Sequence, residues 1–431
     1  MSTNSDFSKS GWHRAVILCE VYLRKSQKVD TLIADHASGL SRMERRRCQF
    51  LLLGVVRNLQ LIEYTLSKLL KKETRPRLKS ILFIGAAEIL AENPALFPKI
   101  VHHAVEEAKN LVSIKECGMV NAVLRKFPAQ IQIIRGGEDR NVESLALINS
   151  HPDWLVRRWY NKFGLLNTRL LLEWNQQPSP VYMRIMDTNK KDLPAGLIST
   201  PWSDFYRIED SCWETIFDIV NQGYAYIMDP ASRLPSFILD LQPGETVLDL
   251  CAAPGGKSRL LAEKLSNTNG RLVCLDLPGP RVELLKNNLR TIENTPCDII
   301  EADLLEIKPE EFILRGLPSV YDAVLVDAPC SNTGVLRRRP DAKWRLKADD
   351  INKASDMQLA FLEKASVFVR PGGRLVYSTC SLEEDENQAV VQRFMQKKSS
   401  AWQLIKEVIS QPWKDNHDGG AAFLFTKHAI N

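Results

Sequence analysis

A chain of 431 residues with 44% apolar content is long enough for two or three globular domains, and it contains no apolar run of the roughly eighteen residues a membrane helix needs. Its nine cysteines are scattered without a Cys-x-x-Cys pair or a His cluster, which speaks against a metal site or disulfide framework and for a reducing, cytoplasmic setting. The net charge of +5 is uneven: residues 1–150 carry 23 Lys and Arg against 15 Asp and Glu, a basic front half that fits either a nucleic-acid-binding arm or a solvated helical surface.

The first ten residues are polar, so no secretory leader is expected. Residues 11–127 repeat apolar positions at helical spacing and lack strand-type alternation. They predict an all-α bundle of about five to seven helices, taken as a domain over 1–135. Arg45, Arg46, Arg47 and the Lys71-Lys72 pair are candidate phosphate contacts, with an exposed helix face as the plainer reading of each. Residues 128–150, irregular around Gly136-Gly137, read as a linker. A helix then opens at Pro152-Asp153, and its Trp154 and Trp159 read as core anchors before base-stacking platforms. Residues 181–186 read as a strand, and 141–230 as a small α+β connector with a possible role in RNA recognition.

From residue 231 to 431 strands and helices alternate. Strands are expected at 246–250, 271–276, 298–302, 323–326, 374–378 and 422–426. Helices are expected at 258–265, 281–290, 351–369 and 384–396. This order implies an α/β domain, a parallel sheet covered on both faces.

The first strand runs into Cys251-Ala252-Ala253-Pro254-Gly255-Gly256-Lys257, a Gly-rich turn that opens a helix. Such a turn lets backbone approach a ligand and offers the N–H groups of a helix start. A phosphate-loop reading fails, because Cys251 stands where that motif needs its first Gly. Asp249, Asp276 and Asp303 stand at or just past successive strand ends, where open α/β sheets bind ligands, although a lone Asp there is often a helix cap. Asp327-Ala328-Pro329-Cys330 and Ser378-Thr379-Cys380-Ser381 follow two further strands. One such cysteine is usually a small buried hydrophobe. Two in equivalent places, with no His nearby in sequence, suggest thiolate addition. Arg337-Arg338-Arg339, with Lys343 and Arg345 just beyond, is the most basic run of this half. It predicts an RNA-backbone clamp with Lys343 in the active crevice, or a solvated charge run.

These motifs together resemble the RNA (cytosine-5) methyltransferases, and residues 10–127 resemble the RNA-binding helical fold of the NusB antitermination factor through 81–90, 103–109 and 118–125. The combination is closest to the branch acting on small-subunit (16S) ribosomal RNA. The resemblance implies a class I, Rossmann-like fold and S-adenosyl-L-methionine held by Cys251 to Lys257, Asp276, Asp303 and Asp327. It implies a monomer without metal, attack on carbon 6 of cytosine by Cys380, product release by Cys330, and Asp327 on the cytosine edge. Cys330 is the rival nucleophile, because Pro-Cys carries that role in DNA enzymes. A transfer RNA enzyme and a non-catalytic assembly factor are the alternatives. The chain departs from the family pattern at Asn332, where Gly is usual, at Arg339, where His is common, and at Asp418-Gly419-Gly420-Ala421-Ala422-Phe423.

Overall fold

A computed structural model describes residues 10–136, 141–186, 195–209, 213–292 and 294–429. The chain divides into two compact units, Met1–Gln177 with Leu336–Leu346, and Pro178–Val335 with Lys347–Asn431. The expected three-part division is therefore replaced by two units.

The first unit is helical among its described residues. Ser10, Ser41 and Ser113 accept from the first-turn amides of helices Gly11–Arg24, Arg42–Arg57 and Ile114–Arg135, so polar caps fix where these begin. Helix Pro76–Ala91 is apolar on nearly every side and lies in a core with Trp12, Val16, Tyr22, Leu52 and Phe127. The expected linker is instead helical where described. Helix Ile114–Arg135 continues through Pro128 because Phe127 and Ile131 anchor its later turns in the core, and Val142–Ile148 follows. Gly137 lies outside the described residues. Helix Asp153–Gln176, expected in the connector, belongs to this unit and buries Trp159 completely, while Trp154 is half-buried. No described helix is long and apolar enough to cross a membrane.

Among its described residues the second unit holds two sheets. Strands β1 (Tyr182–Ile185), β2 (Leu197–Ser199), β3 (Phe205–Ile208) and β4 (Ala225–Ile227) make a small antiparallel sheet in the order β2-β3-β1-β4. The larger sheet contains β5 (Thr246–Leu250), β6 (Arg271–Asp276), β7 (Cys297–Glu301), β8 (Tyr321–Asp327), β9 (Val369–Thr379), β10 (Trp402–Ser410) and β11 (Gly420–Lys427). Its order is β10-β11-β9-β8-β5-β6-β7. Strands β5 to β9 run parallel, and β11 and β10 are added antiparallel. Successive β5 residues enter opposite cores, Val247 one and Leu248 the other, as a sheet covered on both faces requires. The order reverses at β5, between β6 and β8, so the crevice for a ligand opens at the carboxyl ends of these strands.

Candidate active site

At that switch point the chain leaves β5 through Cys251, at φ +61°, and a cis Ala253–Pro254 bond. Gly255, at φ +104°, then starts helix Gly256–Leu265. A Cβ on Gly255 would lie 2.9 Å from Leu285 Cδ1, so both conformation and space select glycine. Asp276 clasps the turn: its Oδ2 accepts from Ala253 N at 2.7 Å, and its Oδ1 from Leu277 N at 2.8 Å. Asp303 is exposed and accepts from Leu305 N at 2.9 Å within a turn, so it stands on the surface and caps no helix. A cavity of about 210 Å³ opens over the turn, lined among others by Met228, Asp249, Ala253, Gly256, Lys257 and Asp327.

Asp249 was legible as a strand-end carboxylate, but its burial was not. It is fully buried, and Ser258 Oγ donates to its Oδ2 at 2.6 Å. Its Oδ1 is buried without a hydrogen-bond partner. Burial pushes its carboxyl up to about 7, and the charges of Asp327 and Asp276 act in the same direction.

Strands β8 and β9 pair in parallel with Asp327 beside Ser378. The segments leaving them converge, and Cys330 Sγ lies 2.9 Å from Cys380 Sγ. Asp327 accepts from Lys257 Nζ at 2.5 Å and from Ser378 Oγ at 2.7 Å. Lys257, Asp327 and Cys380 line one cleft with Ser232 and Asp418. Burial opposes the Lys257 charge, but Asp327 outweighs it and raises the ammonium's pKa, keeping a cation beside Cys380. The hydrogen bond to Cys380 holds the Cys330 thiol well above its ordinary value, followed by burial and by the charges of Cys380 and Glu386.

The departures from the family pattern have structural readings here. Asn332 adopts φ +63°, the conformation glycine takes freely, and its side chain accepts from Cys380 Sγ at 3.4 Å and donates to the Cys330 carbonyl at 2.8 Å. Gly419 packs against the same loop. Its N donates to Gly334 O at 2.8 Å, and a Cβ on Gly334 would lie 2.3 Å from Gly419 O. Nothing in the structure explains Arg339, which is exposed.

The basic run does not lie where the sequence suggested. Leu336–Leu346 leaves the second unit shortly after Cys330 and folds as part of the helical unit. Lys343 is only 1% exposed, and its Nζ donates to Arg57 O at 3.0 Å. Trp344 Nε1 donates to Val56 O at 2.7 Å. Both acceptors are among the last carbonyls of helix Arg42–Arg57, which have no partner within the helix, so the segment serves as its C-terminal cap. Arg337 is half-buried and stacks 4.2 Å over Trp174, and Arg338 is half-buried. The expectation of Lys343 in the active crevice is corrected: a long apolar stem and a helix end to cap draw it inward. Lys343→Ala is expected to lower the stability of the helical unit by about 2–3 kcal/mol, read from a denaturant midpoint. An RNA contact would instead appear as a weaker salt dependence of binding at unchanged stability. In the same unit Arg45, Arg46 and Arg47 are exposed on helix Arg42–Arg57, and Arg47 pairs with Glu88 at 3.3 Å.

Residues 236–427 match the family described as 16S rRNA methyltransferase RsmB/F, and residues 14–128 match the NusB family. The chain carries an RsmB/F-type 16S rRNA methyltransferase domain behind a NusB-family domain. It is 26% identical over 438 aligned residues to ribosomal RNA small subunit methyltransferase B of Pasteurella multocida, covering 96% of this chain and 94% of that protein. It is 29% identical to the probable ribosomal RNA small subunit methyltransferase B of Bacillus subtilis, over 84% and 82% of the two chains. The solved structure of PH0851 superposes with a TM-score of 0.74 at 22% identity, covering 96% of this chain and 98% of the other. NSun6 from Pyrococcus horikoshii, solved with SFG, gives 0.54 at 18% identity over 66% of this chain and all of that one. The chain is a methyltransferase, with a NusB-like helical front and a Rossmann-like catalytic unit.

Proposed function

We propose that this methyltransferase modifies carbon 5 of a cytosine in 16S rRNA, with Cys380 as the attacking thiol. The observation that carries the reading is the 2.9 Å contact between Cys330 and Cys380 at the ends of adjacent parallel strands, beside the Lys257–Asp327 pair.

The turn and its surroundings fit S-adenosyl-L-methionine: an orphaned buried carboxylate oxygen on Asp249, a left-handed Gly255 that brings backbone to the cavity, and Asp276 at the next strand end. Residues Cys251 to Lys257, Asp249, Asp276 and Asp327 would hold it, and when bound it supplies the methyl group as a sulfonium. Asp303, exposed at the end of β7, would contribute from the rim.

Carbon 5 of cytosine is a weak nucleophile. Addition of the Cys380 thiolate to carbon 6 pushes electron density to carbon 5 and the ring nitrogen. Asp327 hydrogen-bonds the cytosine amine and protonated ring nitrogen of this adduct, and Lys257 is released from Asp327 to face the accumulating negative charge. After methylation the carbon 5 proton passes to a water molecule, the carbon–sulfur bond breaks with its electron pair returning to Cys380 Sγ, and the Cys330 S–H hydrogen-bonds that departing thiolate. The target base must be turned out of its stack to reach the crevice. Arg45, Arg46 and Arg47 on the helical unit, and the exposed Arg339, supply phosphate contacts, with Arg337 and Arg338 at the edge of that set.

Incubation with S-adenosyl-L-methionine and either isolated 16S rRNA or transfer RNA, followed by mapping of 5-methylcytosine, tests the reading. Modification at one cytosine of 16S rRNA is expected. Modification of transfer RNA alone would move the substrate class, and no 5-methylcytosine in either would overturn the reaction.

A further inference from the structure

Beneath the two thiols lies a carboxylate that the chemistry above does not use. Glu386 is fully buried. Its Oε1 accepts from Ser331 N at 2.8 Å and Gln358 Nε2 at 3.0 Å, and its Oε2 accepts from the hydroxyls of Ser331 and Ser381. Gln358 also donates to Pro329 O at 2.9 Å, and Tyr377 Oη donates to the Glu386 carbonyl at 2.5 Å. Among the described residues no Lys or Arg pairs with this carboxylate.

Burying a carboxylate away from any cation is unfavourable unless its lone pairs are filled, and here four donors fill them. The donors are not a random set. Ser331 directly follows Cys330, and Ser381 directly follows Cys380. Gln358 comes from helix Ala348–Ala365, which closes the cage from behind. One side chain therefore spans both catalytic loops and the helix that backs them. Strand pairing ends at Thr379 and Asp327; beyond it Gly334 N donates to the Cys380 carbonyl at 3.0 Å and Leu382 N to Thr333 Oγ1 at 2.9 Å, and Glu386 adds a charged tie between the residues that directly follow the two cysteines.

We propose that Glu386 is a positioning residue that sets the spacing of Cys330 and Cys380 by holding Ser331 and Ser381 on one buried carboxylate. The proposal rests on the thiol roles given above. Its charge adds a second effect, because it faces Cys330 and favours that thiol's protonated form.

Glu386→Gln and Glu386→Ala separate the two contributions. In Glu386→Gln the amide oxygen still accepts from Ser331 N and Gln358, and the amide N–H groups donate to the two hydroxyls, which turn toward Thr333 Oγ1 and each other. In Glu386→Ala the donors lose their common acceptor. With rRNA and S-adenosyl-L-methionine, Glu386→Ala is expected to turn over about 100-fold more slowly and to accumulate a covalent RNA adduct on a denaturing gel, as a displaced Cys330 requires. Glu386→Gln should stay within about tenfold of the parent and show little adduct. A Glu386→Ala protein with the parent's rate, or a Glu386→Gln protein as slow as Glu386→Ala, would overturn the proposal. If Glu386→Ala does not fold, the double change Ser331→Ala with Ser381→Ala keeps the carboxylate and removes both hydroxyls. Adduct accumulation there supports the proposal, and parental turnover overturns it. A wrong thiol assignment shows separately, as no adduct with Cys330→Ala, and the rate ratio of the Glu386 variants still decides the positioning role.

Discussion

Cys380→Ala is expected to lose methylation by three or more orders of magnitude and to form no covalent RNA adduct, while Cys330→Ala traps the adduct and turns over about 10²–10⁴-fold more slowly. The asymmetry follows from the site. Cys330 is held protonated by its bond to Cys380, by burial, and by the neighbouring charges. Cys380 instead faces the Lys257 ammonium, which Asp327 keeps charged. The Lys257 ammonium on the Cys380 side and the Glu386 carboxylate on the Cys330 side are the asymmetry on which the proposed roles rest. Removing Cys330 leaves the attacking sulfur in place but takes away the donor that eases its departure, so the reaction stalls after attack. Denaturing gels with labelled rRNA read both variants at once. An adduct with Cys380→Ala and none with Cys330→Ala would exchange the two roles.

The site was legible to the extent that its residues sit on the strongest local signals. Strand β5 is five residues, four of them buried, ending in a Gly-rich turn, and β8 and β9 end in cysteine motifs, so strand ends could be placed from the sequence and the crevice followed from their order. Strand β10 was missed because it is an edge strand whose middle residues, Gln403 to Glu407, are mostly exposed and polar. The sequence carries too little apolar alternation there to separate it from a loop. The Lys343 error has a different origin: five cationic residues within 337–345 say nothing about where a chain segment packs, and the orphan carbonyl of Arg57 that draws Lys343 inward is 286 residues away in sequence. Glu386 was hidden in the run Glu383-Glu384-Asp385-Glu386, which reads as the solvated acidic start of a helix. Two of its members, Glu383 and Glu386, are fully buried. Tertiary partners that rescue a buried polar group leave no local trace.

Asp249→Asn is expected to raise the stability of the ligand-free protein at pH 8 while weakening its grip on S-adenosyl-L-methionine. The Asp249 carboxyl is pushed up to about 7 from an unfolded value near 4, chiefly by burial. A carboxyl whose native value is raised stabilises the fold fully below the unfolded value and loses that contribution as pH rises through the native one. Above pH 7 the native state therefore carries a buried carboxylate with one oxygen unpartnered, at a cost of up to about 4 kcal/mol for a displacement of about three pH units. Asparagine keeps the acceptor for Ser258 and removes the charge. Its stability advantage, measured as a shift in denaturant midpoint, should be largest near pH 8 and shrink toward pH 4. A difference that does not vary with pH would overturn the account. Asp249 is also among the residues lining the cavity over the Gly255 turn, where a cationic ligand would relieve its charge. Calorimetric titration is accordingly expected to show at least a tenfold loss of S-adenosyl-L-methionine affinity in Asp249→Asn, about 1.4 kcal/mol. Stability gained and binding lost in one substitution is what a carboxylate retained for its ligand, at the expense of the fold, must give.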